Sequence, residues 1–204
     1  MKLLYGTTNQ SKIQFMKSRV DGLGIEILSL ADNTQSKANH PDGLHFTTGN
    51  KSEAISIMRE AAQWLIDTDK PMWDMDELTP EQLINPPDDF IVMWKGGESV
   101  ATLILSFEDR FFWPDIPAGT SGFIHKLAIK RKYAGFAMAE MLIKHTIQIC
   151  KSKGMGALRL DCDPHRHGLC VLYDRCGFRR KEIKTLQTKR LGTIDVAYYE
   201  LLFA

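Results

Sequence analysis

Two stretches of this chain carry residue types at spacings that chemistry can use. The first is RKYAGFAMAEML, Arg131 to Leu142, where Ala134, Gly135 and Ala137 gather behind Arg131 and Lys132 as a helical pattern begins. A helix N-terminus presents unpaired N–H groups and the positive end of its dipole, so it attracts phosphate. Small residues clear the approach to those groups, and the two cations add charge. Close packing of a helix on a sheet would use the same small residues, so the stretch alone leaves both readings open. The second is CDPHRHGLC, with Cys176 beyond it, whose residue types suit zinc or a nucleophilic thiol. Cys162 closes a strand pattern and Cys170 falls inside a helical one, so zinc ligands would converge poorly. No His–Cys pair is forced by the spacing.

The elements around these stretches can be read from periodicity. KLLYGTTN, SKIQFMKSRVDGLG and IEILSL read as strand, helix and strand, and the polar ADNTQSKANHPDG as a linker. Residues 1–40 are thus expected to form a βαβ appendage with its linker, and residues 41–204 one further unit. In that unit KSEAISIMREAAQWLIDT is helical, with an apolar stripe of Ile55, Met58, Ala62, Leu65 and Ile66 and a cap at Asn50. Gly96 and Gly97 join two β-rich runs as a hairpin, and SGFIHKLAIK is another strand. The quoted stretch opens a helix running to about Lys153, with Ala134, Met138, Met141, Leu142, His145 and Ile149 on one face and Gly154 as its stop. ALRLDC, HGLCVLYDRCG, FRRKEIK and TIDVAYYELLF follow as strand, short helix and two strands, which makes an α/β layer with a mixed sheet.

Composition narrows the function classes. The chain has 204 residues, 44% hydrophobic, 25% charged, with a formal net charge of +1. That supports a sizeable core and offers no broad basic field for nucleic acid. No apolar run reaches membrane-spanning length and no secretory signal is visible, so a cytoplasmic protein with four free thiols is expected.

The motifs then carry a resemblance. IHKLAIKRKYAGFAMAEMLI resembles motif A of the GNAT superfamily of N-acetyltransferases, in which a strand precedes R/Q-x-x-G-x-G/A and the backbone of the turn holds the pyrophosphate of acetyl-CoA. Lys132, Gly135 and Ala137 match, with Lys132 in place of the usual Gln or Arg. LDCDPHRHGLCVLYDRCGF resembles motif B through Leu169, Tyr173, Gly177 and Phe178, while Arg166 stands where many relatives place an Asn. The resemblance implies an α/β fold from about Leu44 onward, a GNAT-like mixed, largely antiparallel sheet flanked by helices. It implies acetyl-CoA as co-substrate, held by Leu127, Ala128 and Ile129 at a strand edge and by the turn Lys132, Tyr133, Ala134, Gly135, Phe136 and Ala137. No metal is expected.

By that resemblance Tyr173 protonates the departing thiolate; a Tyr packing a short helix on a sheet is the other reading. A base must take a proton from the attacking amine. His125, Glu108, Asp109 and Asp161 are candidates, although His125 alternates with Leu127 and Ile129 on one strand face, the pattern of a core histidine. Phe111, Phe112, Trp113 and, in another loop, Trp73 would form a binding rim, or else cover the core or a homodimer contact. The acids Asp74, Asp76, Glu77, Asp109 and Asp115 favour a cationic amine, so the expected partner is a small-molecule or peptide amine. The alternative is an acyl-CoA sensor that keeps the cofactor site without turnover, for which the Arg166 and Lys132 departures speak.

The first tract has its own resemblance. LLYGTTNQSKIQFMKSRVDGLGIEILSL resembles the opening of inosine/xanthosine triphosphate pyrophosphatases through Thr7, Asn9 and Lys12. The acidic and Gly-rich motifs that continue those enzymes are absent after Leu30. Two strands and a helix bury too little apolar surface to stand alone, so docking on the larger sheet or a neighbouring chain is expected.

Overall fold

In order, the computed structural model has β1 (Lys2–Tyr5), α1 (Gln10–Arg19), β2 (Glu26–Ser29), β3 (Leu44–Thr48), α2 (Lys51–Asp67), a 3-10 turn (Met75–Glu77), β4 (Asp89–Lys95) and β5 (Glu98–Ser106). Then come β6 (Ser121–Ile129), a second 3-10 turn (Arg131–Tyr133), α3 (Met138–Ser152), β7 (Ala157–Cys162), α4 (His167–Arg175), β8 (Arg179–Thr188) and β9 (Gly192–Leu202). The structure describes residues 2–5, 10–19, 26–29, 43–83, 89–188 and 192–203. β1 and β2 pair in parallel as a two-stranded sheet, the strand, helix and strand read from the first tract. Thr7, Asn9, the side chain of Lys12 and the linker lie outside the described residues. β3, with Leu44 and Phe46 buried, is a strand that the sequence reading does not delimit.

The seven-stranded sheet has the order β3-β4-β5-β6-β7-β9-β8 and is antiparallel except for the β6–β7 pair. Its two faces carry different partners. On one, Met138, Leu142, Ile143 and Cys150 of α3 and Cys170 and Tyr173 of α4 pack on Leu103, Leu105, Ile124, Leu158, Leu160, Ala197 and Tyr199. On the other, Ala54, Ile57, Met58 and Ala62 of α2 cover Phe90, Val92, Ile104 and Ala128, and Trp113 covers Phe123, Val196 and Tyr198. Each fully buried Leu or Ile contributes about 1.5–3 kcal/mol by leaving water, so both faces are held. No helix of the described residues is long and apolar enough to cross a membrane.

Local chemistry explains the boundaries. Asn50 accepts a hydrogen bond from the Glu53 N–H at 3.3 Å and caps α2, as its residue type implies. Gly96 and Gly97 hold φ of 58° and 86°, the left-handed backbone of a tight hairpin turn. Two expected stripes shift. In α2, Ala54 and Ile57 are buried while Ile66 is exposed. α3 starts only at Met138, so Ala134 lies outside it. Its buried line runs through Ala139, Leu142, Ile143, Thr146 and Cys150, leaving Met141, His145 and Ile149 at the border.

Candidate active site at the split between β6 and β7

The parallel pairing of β6 with β7 begins at Ser121↔Ala157 and ends at Ile124↔Leu160. Beyond it β6 runs on to Ile129, bonded only to β5, and β7 runs on to Cys162, bonded only to β9. The strands part, and one edge of β6 from His125 to Ile129 faces no strand. Leu127, Ala128 and Ile129, expected at a strand edge that an extended ligand arm can join, lie on that edge.

A bulge sits at the start of the split. Thr102 pairs with Ala128 but Ile104 with His125, so β6 holds one residue more than β5 across this step, and Lys126 takes a φ of 48°. Bulges re-aim side chains. Leu127 and Ile129 pack with the α3–α4 core, whereas His125 pairs across from Ile104 on the α2 face. The alternation that made His125 a core histidine beside Leu127 is therefore broken: they lie on opposite faces.

On the α2 face three segments bring titratable groups together. Asp109 follows β5, His125 is on β6 and Asp161 on β7, and one ligand-type atom of each lies within 4.8 Å of the others. Asp109 is only 9% exposed. Its Oδ1 accepts from the Phe111 and Phe112 N–H groups at 3.0 and 2.9 Å, fixing the loop. Its Oδ2 is buried without a hydrogen-bond partner, 3.8 Å from His125 Nε2. Burial, and then the neighbouring Asp109, push the Asp161 carboxyl up to about 7. Glu108 is instead taken by Arg110 at the loop surface. Of the aromatic rim, Trp113 is buried against Phe123 and Tyr198, so it covers the core, while Phe111 is 65% exposed.

On the α3–α4 face Tyr173 is 5% exposed, with its ring 6.1 Å from that of Phe178 and 5.7 Å from that of Tyr199. Burial, and then Cys162 and Asp161 at the end of β7, hold the phenol far above its ordinary pKa, so it keeps its proton at neutral pH. Burial likewise raises Cys150, Cys162 and Cys176, which makes these thiols poor nucleophiles.

Past the edge the chain turns into α3. Gly135 has a φ of 86° and Ala137, the residue before the helix, a φ of 58° with no side-chain cap. The first-turn N–H groups of Met138, Ala139 and Glu140 have no preceding carbonyl in the helix to meet, which is the geometry an anion uses. A Cβ added at Gly135 would meet nothing within 4 Å, so the space in front of the turn is open. The expected turn ends at Ala137, and the small residue at 139 lies in the helix's first turn beside these N–H groups. Lys132 points elsewhere: its Nζ is 2.7 Å from the Glu98 carboxylate, which also accepts from the Tyr133 hydroxyl at 2.9 Å. These two bonds lower the Glu98 pKa. Arg131 stacks over Trp64 at 4.3 Å, and its N–H donates to Glu60 at 3.0 Å. Arg166 donates to the carbonyls of Lys70 and Pro71 at 3.2 and 2.7 Å, tying the start of α4 to the loop after α2.

Comparison with known proteins adds the following. The model of the acetyltransferase (GNAT) family matches residues 57–178. No curated protein matches the chain. Among solved structures it is similar to the ribosomal-protein-S18-alanine N-acetyltransferase of Escherichia coli, at 14% identity and a TM-score of 0.57 over 78% of this chain and 94% of that one. An acetyltransferase of Bacillus subtilis in complex with CoA is similar at 16% identity and a TM-score of 0.55, over 79% and 99%. A Salmonella typhimurium protein solved with its cofactor acetyl-CoA is similar at 12% identity and a TM-score of 0.57, over 79% and 95%. At such identities these three share the fold with this chain.

Proposed function

The chain belongs to the GNAT acetyltransferase family, and from that premise we propose that it moves the acetyl group of acetyl-CoA directly to a primary amine across the β6–β7 split. One observation carries the reading: at the point where the two strands part, a proton-holding phenol stands on one face of the sheet and an imidazole clustered with two carboxyl groups on the other. Acetyl-CoA fits the residues present. The free edge at Leu127, Ala128 and Ile129 offers backbone donors and acceptors to its amides, and the turn from Gly135 to Ala139 offers N–H groups to its pyrophosphate.

The co-substrate supplies a thioester; the chain's residues handle the protons. The amine nitrogen forms the new bond to the acetyl carbon as the carbon–sulfur bond breaks. Its proton passes to the Asp109–His125–Asp161 group, whose ligand-type atoms lie within 4.8 Å of one another. Asp161, poised near neutrality, keeps that group responsive at the working pH. Tyr173 gives its proton to the departing thiolate. Glu108, ion-paired with Arg110, plays no part in this arrangement. The test is an acetyl-CoA-dependent thiol-release screen over amine classes: turnover with at least one primary amine is expected. Tight acetyl-CoA binding without thiol release from any amine would favour a sensor.

A further inference from the structure

The bulge in β6 turns two neighbouring side chains to the α2 face. His125 goes to Asp109 and Asp161; Lys126 goes to the loop beyond α2, with its Nζ 3.9 Å from Glu77 Oε2 and 5.5 Å from the centre of the Trp73 ring. The Lys126 side chain is 20% exposed, and among the described residues its ammonium makes no hydrogen bond. An ammonium carries three donors and is strongly hydrated, and a carboxylate at 3.9 Å lies beyond hydrogen-bond reach. Burial accordingly lowers its pKa. Lys126 also holds a φ of 48°, a left-handed conformation that is strained for any residue with a Cβ and that persists only where its surroundings enforce it. The wall it faces is fixed from the other side, because Arg166 ties the backbone at Lys70 and Pro71, just ahead of Trp73.

The charges around the split have a definite order. Two carboxyl groups cluster with His125, within 4.8 Å of it and of each other, and a partly desolvated cation with open donors follows one residue later on the same face. A molecule complementary to that order has an ammonium and a carboxylate close together. Resting on the acetyl-transfer reading above, we propose that Lys126 is the carboxylate-binding residue of the acceptor site and that the acceptor is a free α-amino acid. The acceptor's amino group faces the Asp109–His125–Asp161 group, its carboxylate takes the open donors of Lys126, and Trp73 forms the side wall. Glu77, 43% exposed on its side chain, is a loose partner that a substrate carboxylate displaces.

The experiment compares matched acceptors in the thiol-release assay: phenylalanine against phenethylamine, and lysine against cadaverine. Each pair differs by the carboxylate alone. Wild type should prefer the amino acid at least tenfold in kcat/KM. Lys126→Met should abolish that preference, mostly through KM, with acetyl-CoA affinity unchanged, and Lys126→Arg should retain part of it. Should Lys126→Met fold poorly, Lys126→Gln serves the same comparison. Equal use of both members of each pair by wild type, or a preference that survives the loss of the ammonium, overturns the proposal while leaving acetyl transfer intact. If no amine is turned over, the acetyl-transfer reading itself fails. Calorimetry of phenylalanine with the CoA-loaded protein then decides: binding by wild type and not by Lys126→Met supports the carboxylate site, and equal or absent binding overturns it.

Discussion

The two faces of the sheet at the β6–β7 split are built from the same strands and hold opposite chemistry. Toward α3 and α4 the lining is apolar: Tyr173 is enclosed with Cys170, Phe178 and Tyr199. Toward α2 the lining is charged, with Asp109, His125, Lys126 and Asp161 drawn from three segments. On this contrast rests the proposed separation of an acid, Tyr173, from a base, the group around His125, at one pH. Burial among apolar groups favours the neutral phenol, and the clustering of carboxylates near an imidazole gives a proton somewhere to go. Distance along the chain matters less than which face of the pleat a residue occupies.

The largest expected effect breaks the apolar side. Tyr173→Phe keeps the ring packing and removes only the proton, so turnover should drop by about 10²–10⁴-fold. Acetyl-CoA affinity should change little, since one hydroxyl contact contributes about 1 kcal/mol. Steady-state rates beside binding constants check this. Near wild-type turnover would make Tyr173 a packing residue and leave the thiolate's proton to another source.

On the charged side, His125→Gln keeps a polar side chain but cannot take a proton. A rate loss of about 10²-fold is expected in steady-state turnover of the amine acceptor, with acetyl-CoA affinity unchanged. Near wild-type turnover would move the base role to Asp161.

Gly135→Asp touches neither face. It puts a carboxylate at the mouth of the turn ahead of α3, so acetyl-CoA affinity should fall at least tenfold, or about 1.4 kcal/mol, in calorimetry. The backbone must also hold a left-handed φ there, which favours glycine, so a melting scan accompanies the measurement.

The smallest effect is on stability. Burial raises the Asp161 carboxyl from an ordinary 3.8 to about 7, so between those values the folded chain holds a proton that the unfolded chain has released. Stability from this group is therefore present in full below about pH 4 and is lost as pH rises through 7. Asp161→Asn should remove that slope and raise the melting temperature by several degrees at pH 8, with little change at pH 4. A slope that persists in the variant would show that Asp161 is solvated in the native state.

Much of this was legible in the chain. The hairpin at Gly96 and Gly97, the Asn50 cap, the Gly154 stop and the strands and helices after it follow from local rules, because turn and cap chemistry acts over a few residues. The spaced motifs around Gly135 and Tyr173 pointed to the family before any coordinate. The exact start of α3 was not legible, since Lys132 and Tyr133 are drawn to Glu98, a residue far back in sequence.

The sequence by itself determined the fold class, the family and the acid candidate, since each rests on period, spacing or motif. Only the tertiary structure decided on which face His125 lies. A period of two assumes an unbroken strand, and one extra residue at Lys126 reverses every assignment before it relative to those after it. Pairing with β5 creates that bulge, and the meeting of Asp109, His125 and Asp161 depends on three separate segments arriving at one split. No local pattern encodes such a meeting, because its energy is realised only once the sheet has formed.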